Sequence, residues 1–303
     1  MNKFIWLVRR EVWESRAIWI APAICAAIMI FGTLIGAMKT GTVQIDPDML
    51  GKINSELTPD KARGLIVVGL IGMSVPFLIC ALCTQYFYTL DALFAERRDR
   101  SVLFWRSLPV SDAATVASKA VVGALLIPLV AAAATLFTEL VLCVIASVKA
   151  PDVLPLATYL WSPSVWAGWA VSLLFLTVAG GLWFLPAVGW NLLVSAWAPR
   201  SPFVYATMAP VAVMFAEKVV FGSHKFLQLI GAFYSGFGIH ALGRGGAVMI
   251  NLDGGKHLDV PASALDIVRP LEFFATPELW VYVALGAAMI AGAVWLRRYR
   301  DAV

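Results

Sequence analysis

Six apolar runs, Ile18–Met38, Leu65–Leu90, Val116–Val148, Val165–Ser195, Phe203–Phe221 and Leu279–Leu296, constrain this chain more than any other feature of its sequence. Crossing roughly 30 Å of hydrocarbon takes about 20 residues of helix. A helix satisfies its own backbone hydrogen bonds where no water reaches. With 60% hydrophobic and 14% charged residues in 303, little polar surface is left for a soluble globule. The expectation is an all-α membrane protein: one transmembrane domain, residues 1–303, with six spans.

Basic residues orient the spans. Lys3, Arg9, Arg10 and Arg16 precede the first span. Arg97, Arg98, Arg100, Arg106 and Lys119 lie between the second and third, Arg200 between the fourth and fifth, and Arg297, Arg298 and Arg300 after the sixth. With six spans all fall on one side, about 13 basic residues in roughly 50 against about 10 in roughly 100 on the other. Both termini are therefore expected in the cytoplasm. The +4 net charge is explained as this bias, and nucleic-acid binding is not expected.

Residues 1–16 read as an interfacial helix. Phe4, Ile5, Val8 and Val12 recur at helical spacing, Arg9, Arg10 and Glu14 take other faces, and Trp6, Trp13 and Trp19 suit the headgroup level. No small-residue cleavage site follows, so the first span is expected to be retained. The external connection 222–278 is too long for a turn. Its apolar stretch 226–239, about 14 residues broken by glycines, suits a re-entrant or interfacial helix. Residues 261–277 alternate apolar and charged positions, which fits amphipathic turns against the outer mouth of the bundle.

Chemical motifs are scarce. Cys25, Cys80, Cys83 and Cys143 lie within spans, where cysteine acts as a small hydrophobe. His224, His240 and His257 lack metal-ligand spacing, and no metal site is expected. No phosphate-binding loop of the G-x-x-x-x-G-K-[ST] pattern occurs. Within the spans, Glu139 and Asn191 are candidates for a translocation path, because polar groups at membrane depth are expensive. The alternatives are a buried hydrogen-bond partner or an outer interfacial position for Glu139, and helix–helix glue for Asn191. Gln85, Tyr86, Tyr88 and Asp91 gather near the cytoplasmic end of the second span. Six tryptophans around the fourth span, Trp161 to Trp197, read as interface anchors.

The densest polar feature is the cytoplasmic segment 94–112, which holds Glu96-Arg97-Arg98-Asp99-Arg100 and continues to Phe104-Trp105-Arg106-Ser107-Leu108-Pro109. Glu96 and Arg100 form an i,i+4 pair. Phe104 and Trp105 are aromatics of the kind that dominate interfaces, and Ser111-Asp112 is a cap for the third span. Residues 91–112 resemble the cytoplasmic link of permease subunits from the type 2 family of ABC exporters, with its E-R-x-x-x-S…S-L-P-x-S pattern. The Arg9–Glu14 segment, the six spans and the long insertion before the last are also similar to that family.

The resemblance implies that 94–112 is a coupling segment seated on a separate ABC ATPase subunit and that a second permease copy pairs with this one, as a homodimer. Glu96, Arg97, Arg98, Arg100 and Arg106 would then be coupling or docking residues, with Phe104, Trp105 and Leu108 as packing anchors. No cofactor is expected on this chain; ATP and Mg would be held by the partner ATPase. The location implied is a bacterial inner membrane. An ion-coupled secondary transporter and a membrane-embedded enzyme acting on lipids are the competing classes. Neither the nucleophile, acid and metal constellation of the second nor the paired discontinuous helices of the first is evident.

Overall fold

The computed structural model describes residues 3–40, 58–99, 110–149, 159–242 and 263–299. No strand occurs among them, and six helices are long and apolar enough to cross a membrane.

The chain opens with α1, Lys3–Glu14, which turns sharply into α2, Ala17–Thr40. Leu7 and Glu11 face inward from α1, whereas Trp6, Arg9 and Trp13 lie on its open side. The Arg9 guanidinium sits 5.2 Å from the Trp6 ring and 4.4 Å from the Trp13 ring, so charge and aromatics share one surface.

The second span, α3, is Pro59–Asp91. Its first turn is capped by the Thr58 hydroxyl, which accepts from the Lys61 N–H, and its 33 residues extend about 50 Å, well beyond the hydrocarbon thickness. Two residues later comes the five-residue α4, Phe94–Arg98. The third span starts as α5, Asp112–Val121, with the expected Ser111 cap accepting from the Ala114 N–H. It passes through a π-helical turn, Val122–Leu126, into α6, Ile127–Lys149.

The fourth apolar run is two helices rather than one. α7, Pro163–Trp183, stops at Phe184, and α8, Leu185–Trp197, begins at once. Pro186 explains the break: it supplies no N–H to a continuing helix and fits the first turn of a new one. The fifth span is α9, Pro202–Phe221, closed by Gly222 at φ 62°, a left-handed cap that glycine adopts without strain. α10, Lys225–Ala241, occupies the start of the connection 222–278. Its 17 residues give about 25 Å, short of a full crossing. A 3-10 turn, Ala264–Asp266, carries a Ser263 capping box, and α11, Pro270–Ala275, and the last span α12, Pro277–Tyr299, complete the chain.

Small residues let the helices approach. A Cβ on Gly189 would lie 2.8 Å from the Gly286 carbonyl oxygen, and one on Gly286 would lie 2.7 Å from the Leu185 carbonyl carbon, so α8 and α12 meet backbone to backbone. Around that seam Leu93, Val116, Val188, Leu192 and Ala293 form one apolar core. A second core, near the starts of α3 and α7, joins Ile66, Val67, Leu70, Val165 and Trp169 to Ala264 and Ile267. A third packs Phe273 and Leu279 on Trp183.

The tryptophans depart from the sequence expectation. Trp161 and Trp197 are exposed, but Trp169 and Trp183 are buried, each donating its indole N–H, to Glu139 and to the Phe233 carbonyl oxygen respectively. A buried indole needs such a partner, and the neighbouring helices provide one.

Candidate functional site

The charged ends of four chain segments meet at one end of the bundle. Glu11 of α1 accepts from Lys119 of α5 at 2.8 Å and from the Tyr88 hydroxyl of α3 at 3.2 Å. Glu96 of α4 accepts from Arg297 of α12 at 2.6 Å and lies 3.0 Å from Lys119 and 3.3 Å from Arg10 of α1. Arg297 also donates to Asp112 at 3.0 Å, and Arg10 donates to Glu11 at 2.7 Å. Three cations thus face four carboxylates: Arg10, Lys119 and Arg297 against Glu11, Glu96, Asp112 and, at the exposed edge 3.3 Å from Arg10, Glu14. Side chains of Glu11, Glu96, Lys119 and Arg297 are all less than a tenth exposed.

Burial makes this arrangement unforgiving. A charge taken out of water is costly, and the cost is recovered only while every member keeps its partners. The cluster holds the N-terminal helix, the segment after the second span, the start of the third and the end of the sixth in one fixed relation. The sequence assigns these charges to one side of the membrane, and in the fold they share one end of the bundle.

The short helix α4 is also bonded to α8. Ser195 Oγ accepts from the Leu93 N–H at 3.0 Å and the Phe94 N–H at 2.9 Å, satisfying donors at the start of α4. In return Arg97 Nη2 donates to the Ser195 and Ala198 carbonyl oxygens at 2.8 and 2.7 Å. Those are end-of-helix carbonyls, where a cation is favoured. α4 is therefore fixed to α1, α5, α8 and α12 at once.

The sequence-derived residues divide accordingly. Glu96 and Arg97 are turned inward and buried, where they anchor α4 to the spans. Arg98 is exposed, beside Asp99 at 3.0 Å. Arg100, Phe104, Trp105, Arg106 and Leu108 lie outside the described residues, as does His257. Asn191 is buried and its amide donates to Thr89 Oγ1 at 3.1 Å, a link between α8 and α3. Glu139 is fully buried, with Oε2 accepting from Trp169 at 2.7 Å and Oε1 without a partner among the described residues.

Three functional-looking groups escape a linear reading. Glu11 sits mid-way along an amphipathic helix and looks solvated until α5 is packed against it. Ser195 is one small polar residue at the end of an apolar run, yet its partner is the backbone at the start of α4. Glu217, near the end of α9, accepts from Ser223 Oγ and the N–H groups of Lys225 and Phe226, capping α10.

Beside the cluster opens a cavity of about 920 Å³, with Glu14, Arg16, Asp91 and Asp99 among its polar walls and Phe87, Pro202 and Phe203 among its apolar ones. Among the described residues no group of three or more histidines, cysteines or carboxylates is arranged for a metal ion. Comparison of the chain with protein-family models, with curated proteins and with solved structures finds no match.

Proposed function

We propose that this chain is the membrane-spanning permease subunit of an ATP-driven ABC exporter, moving an amphiphilic substrate with ATP hydrolysed by a separate subunit. One observation carries the reading: α4, at the root of the charged segment, is bonded to α8 through Arg97 and Ser195 and to α1, α5 and α12 through Glu96. A force applied to the segment from outside the membrane would reach the ends of several spans through short, buried bonds. A loop that only fixed topology would have no use for them. The resemblance of residues 91–112 to the coupling link of type 2 exporters adds the nature of the partner, an ATPase docked on Arg98, Arg100, Phe104, Trp105, Arg106 and Leu108.

On this reading two copies pair, both termini are cytoplasmic, and the membrane is a bacterial inner membrane. Affinity purification of the tagged protein from native membranes, followed by mass identification and an ATP hydrolysis assay, tests it. A stoichiometric ATPase that is lost when Trp105 and Arg106 are replaced by alanine is the expected result. A solitary protein without associated hydrolysis, in mild detergent and in nanodiscs alike, would overturn it.

A further inference from the structure

A second cavity, of about 280 Å³, lies inside the bundle between α3, α6, α7 and α10. On α3 its walls run from Ile71 to Gln85, a stretch of about 21 Å of helix. A space this long and this small is a slot. Its volume is roughly twice that of an apolar cavity known to take benzene. Its length is of the order of one leaflet's acyl chain, half of the ~30 Å hydrocarbon core. One extended hydrocarbon chain fits it; a paired-chain lipid does not.

The slot opens sideways. Val75, Leu78 and Leu82 of α3 line it and are themselves exposed, on the face that a spanning helix turns to lipid. Gln85 continues the same stripe one turn closer to the charged end.

The polar groups of the wall are almost all used internally. Ser74, Thr135 and Thr177 donate to carbonyl oxygens within their own helices, Ser172 donates to the Ala264 carbonyl oxygen, and the Trp169 indole donates to Glu139. Gln85 differs: its carboxamide makes no hydrogen bond to any described residue, although it is half-buried in an apolar wall. A carboxamide in that position offers two donors and an acceptor to whatever enters. No charged side chain lines the slot among the described residues, so an ionised guest would be desolvated without compensation.

The geometry points to a binding site for an uncharged single-chain amphiphile that enters from the membrane, its chain along Val75–Leu82 and its hydroxyl, ester or amide group on Gln85. Binding needs nothing beyond the slot; that the bound molecule is cargo rests on the export reading. An uncharged head is selected because Gln85 bonds it without a counter-charge, and a lipid with two chains is excluded by volume.

Photolabelling in phosphatidylcholine vesicles tests this. The purified full chain is reconstituted and exposed to a medium-chain fatty alcohol carrying a diazirine, or to a quaternary ammonium analogue of the same chain. Labelled peptides are mapped by mass spectrometry. Label from the alcohol concentrates in residues 71–85 and 124–135, and the ammonium analogue labels them about a hundredfold less. Gln85→Leu lowers the alcohol's labelling about tenfold, the equivalent of one hydrogen bond. Leu82→Trp blocks the mouth. Gly180→Leu fills the slot from α7, where a Cβ would meet only Phe237 at 3.6 Å. Either abolishes slot labelling while size-exclusion and thermal profiles stay those of the parent.

Label spread evenly over lipid-facing positions such as Phe215 and Val219, or unchanged by both blocking variants, overturns the site. Equal labelling by the ammonium analogue overturns the substrate class. Slot labelling in a protein that binds no ATPase keeps the site and removes export, whereas an ATPase partner without slot labelling does the reverse.

Discussion

Arg297 and Glu96 are 201 positions apart in the chain, yet Nη1 of one lies 2.6 Å from Oε2 of the other, both side chains buried. The last turn of the sixth span is in this way clamped to the segment that follows the second. Lys119 and Arg10 share the same carboxylate, so Glu96 is the point at which three basic groups from three segments converge.

Glu96→Gln is therefore expected to destabilise the protein by about 3–5 kcal/mol, because it leaves buried cations short of a countercharge. Thermal unfolding in nanodiscs measures this. Replacing both partners, Glu96→Leu with Arg297→Met, is expected to cost less than the two single changes added together, since neither member of this pair then faces the gap left by the other, although Lys119, Arg10 and Asp112 each still lose a partner. Strict additivity would mean that the two residues do not act as a pair.

Arg97 and Arg98 are neighbours with opposite expected behaviour. Arg97→Ala removes the donor shared by the Ser195 and Ala198 carbonyl oxygens and should cost about 1–3 kcal/mol. Arg97→Lys recovers only part of it, as an ammonium does not reproduce the planar fork. Arg98→Ala, at an exposed site, should change stability by no more than about 0.5 kcal/mol and, on the export reading proposed above, weaken association with the ATPase expected there. Equal losses of stability in both variants would contradict the division between anchor and docking contact.

Glycines give a contrast that depends on packing alone. Gly286→Ala would drive a methyl group into the Leu185 backbone, and a cost of about 1–3 kcal/mol is expected for that overpacking. Gly72→Ala, in α3 with nothing within 4 Å of the new methyl, should be neutral or stabilising by up to about 1 kcal/mol through helix propensity. Unfolding midpoints of the two variants measured side by side decide it.

The sequence carries the spans well, because their signal is local. Length and apolarity mark all six runs, and Ser111 before Asp112 marks a helix start by side-chain chemistry alone. The break at Phe184 was also present, in Pro186, but a run of apolar residues on both sides conceals it. The charged cluster was not readable. Lys119 and Glu11 are 108 residues apart and Arg10 and Glu96 are 86 apart, and no periodicity links them. Each charge taken singly reads as topology bias at a span end. The same limit applies to Trp169 and Trp183, since amphipathic rings near a span look like belt residues until a partner for the indole N–H is found inside the bundle.

Glu139 supplies the last test. With no exposed surface and one oxygen bonded to the Trp169 indole, it is a buried acceptor, and the other oxygen has no partner among the described residues. Trp169→Phe removes the donor and should cost about 1–3 kcal/mol, the price of leaving a buried polar group unmade. Glu139→Gln keeps an oxygen for the indole, so folding and assembly should be retained. If the carboxyl belongs to the translocation path, transport by Glu139→Gln falls about tenfold, corresponding to roughly 1.4 kcal/mol on the limiting barrier. On the proposed export reading, transport is measured in vesicles containing this chain and the ATPase that copurifies with it. A parental rate in Glu139→Gln, together with a destabilised Trp169→Phe, would confine Glu139 to holding α6 against α7.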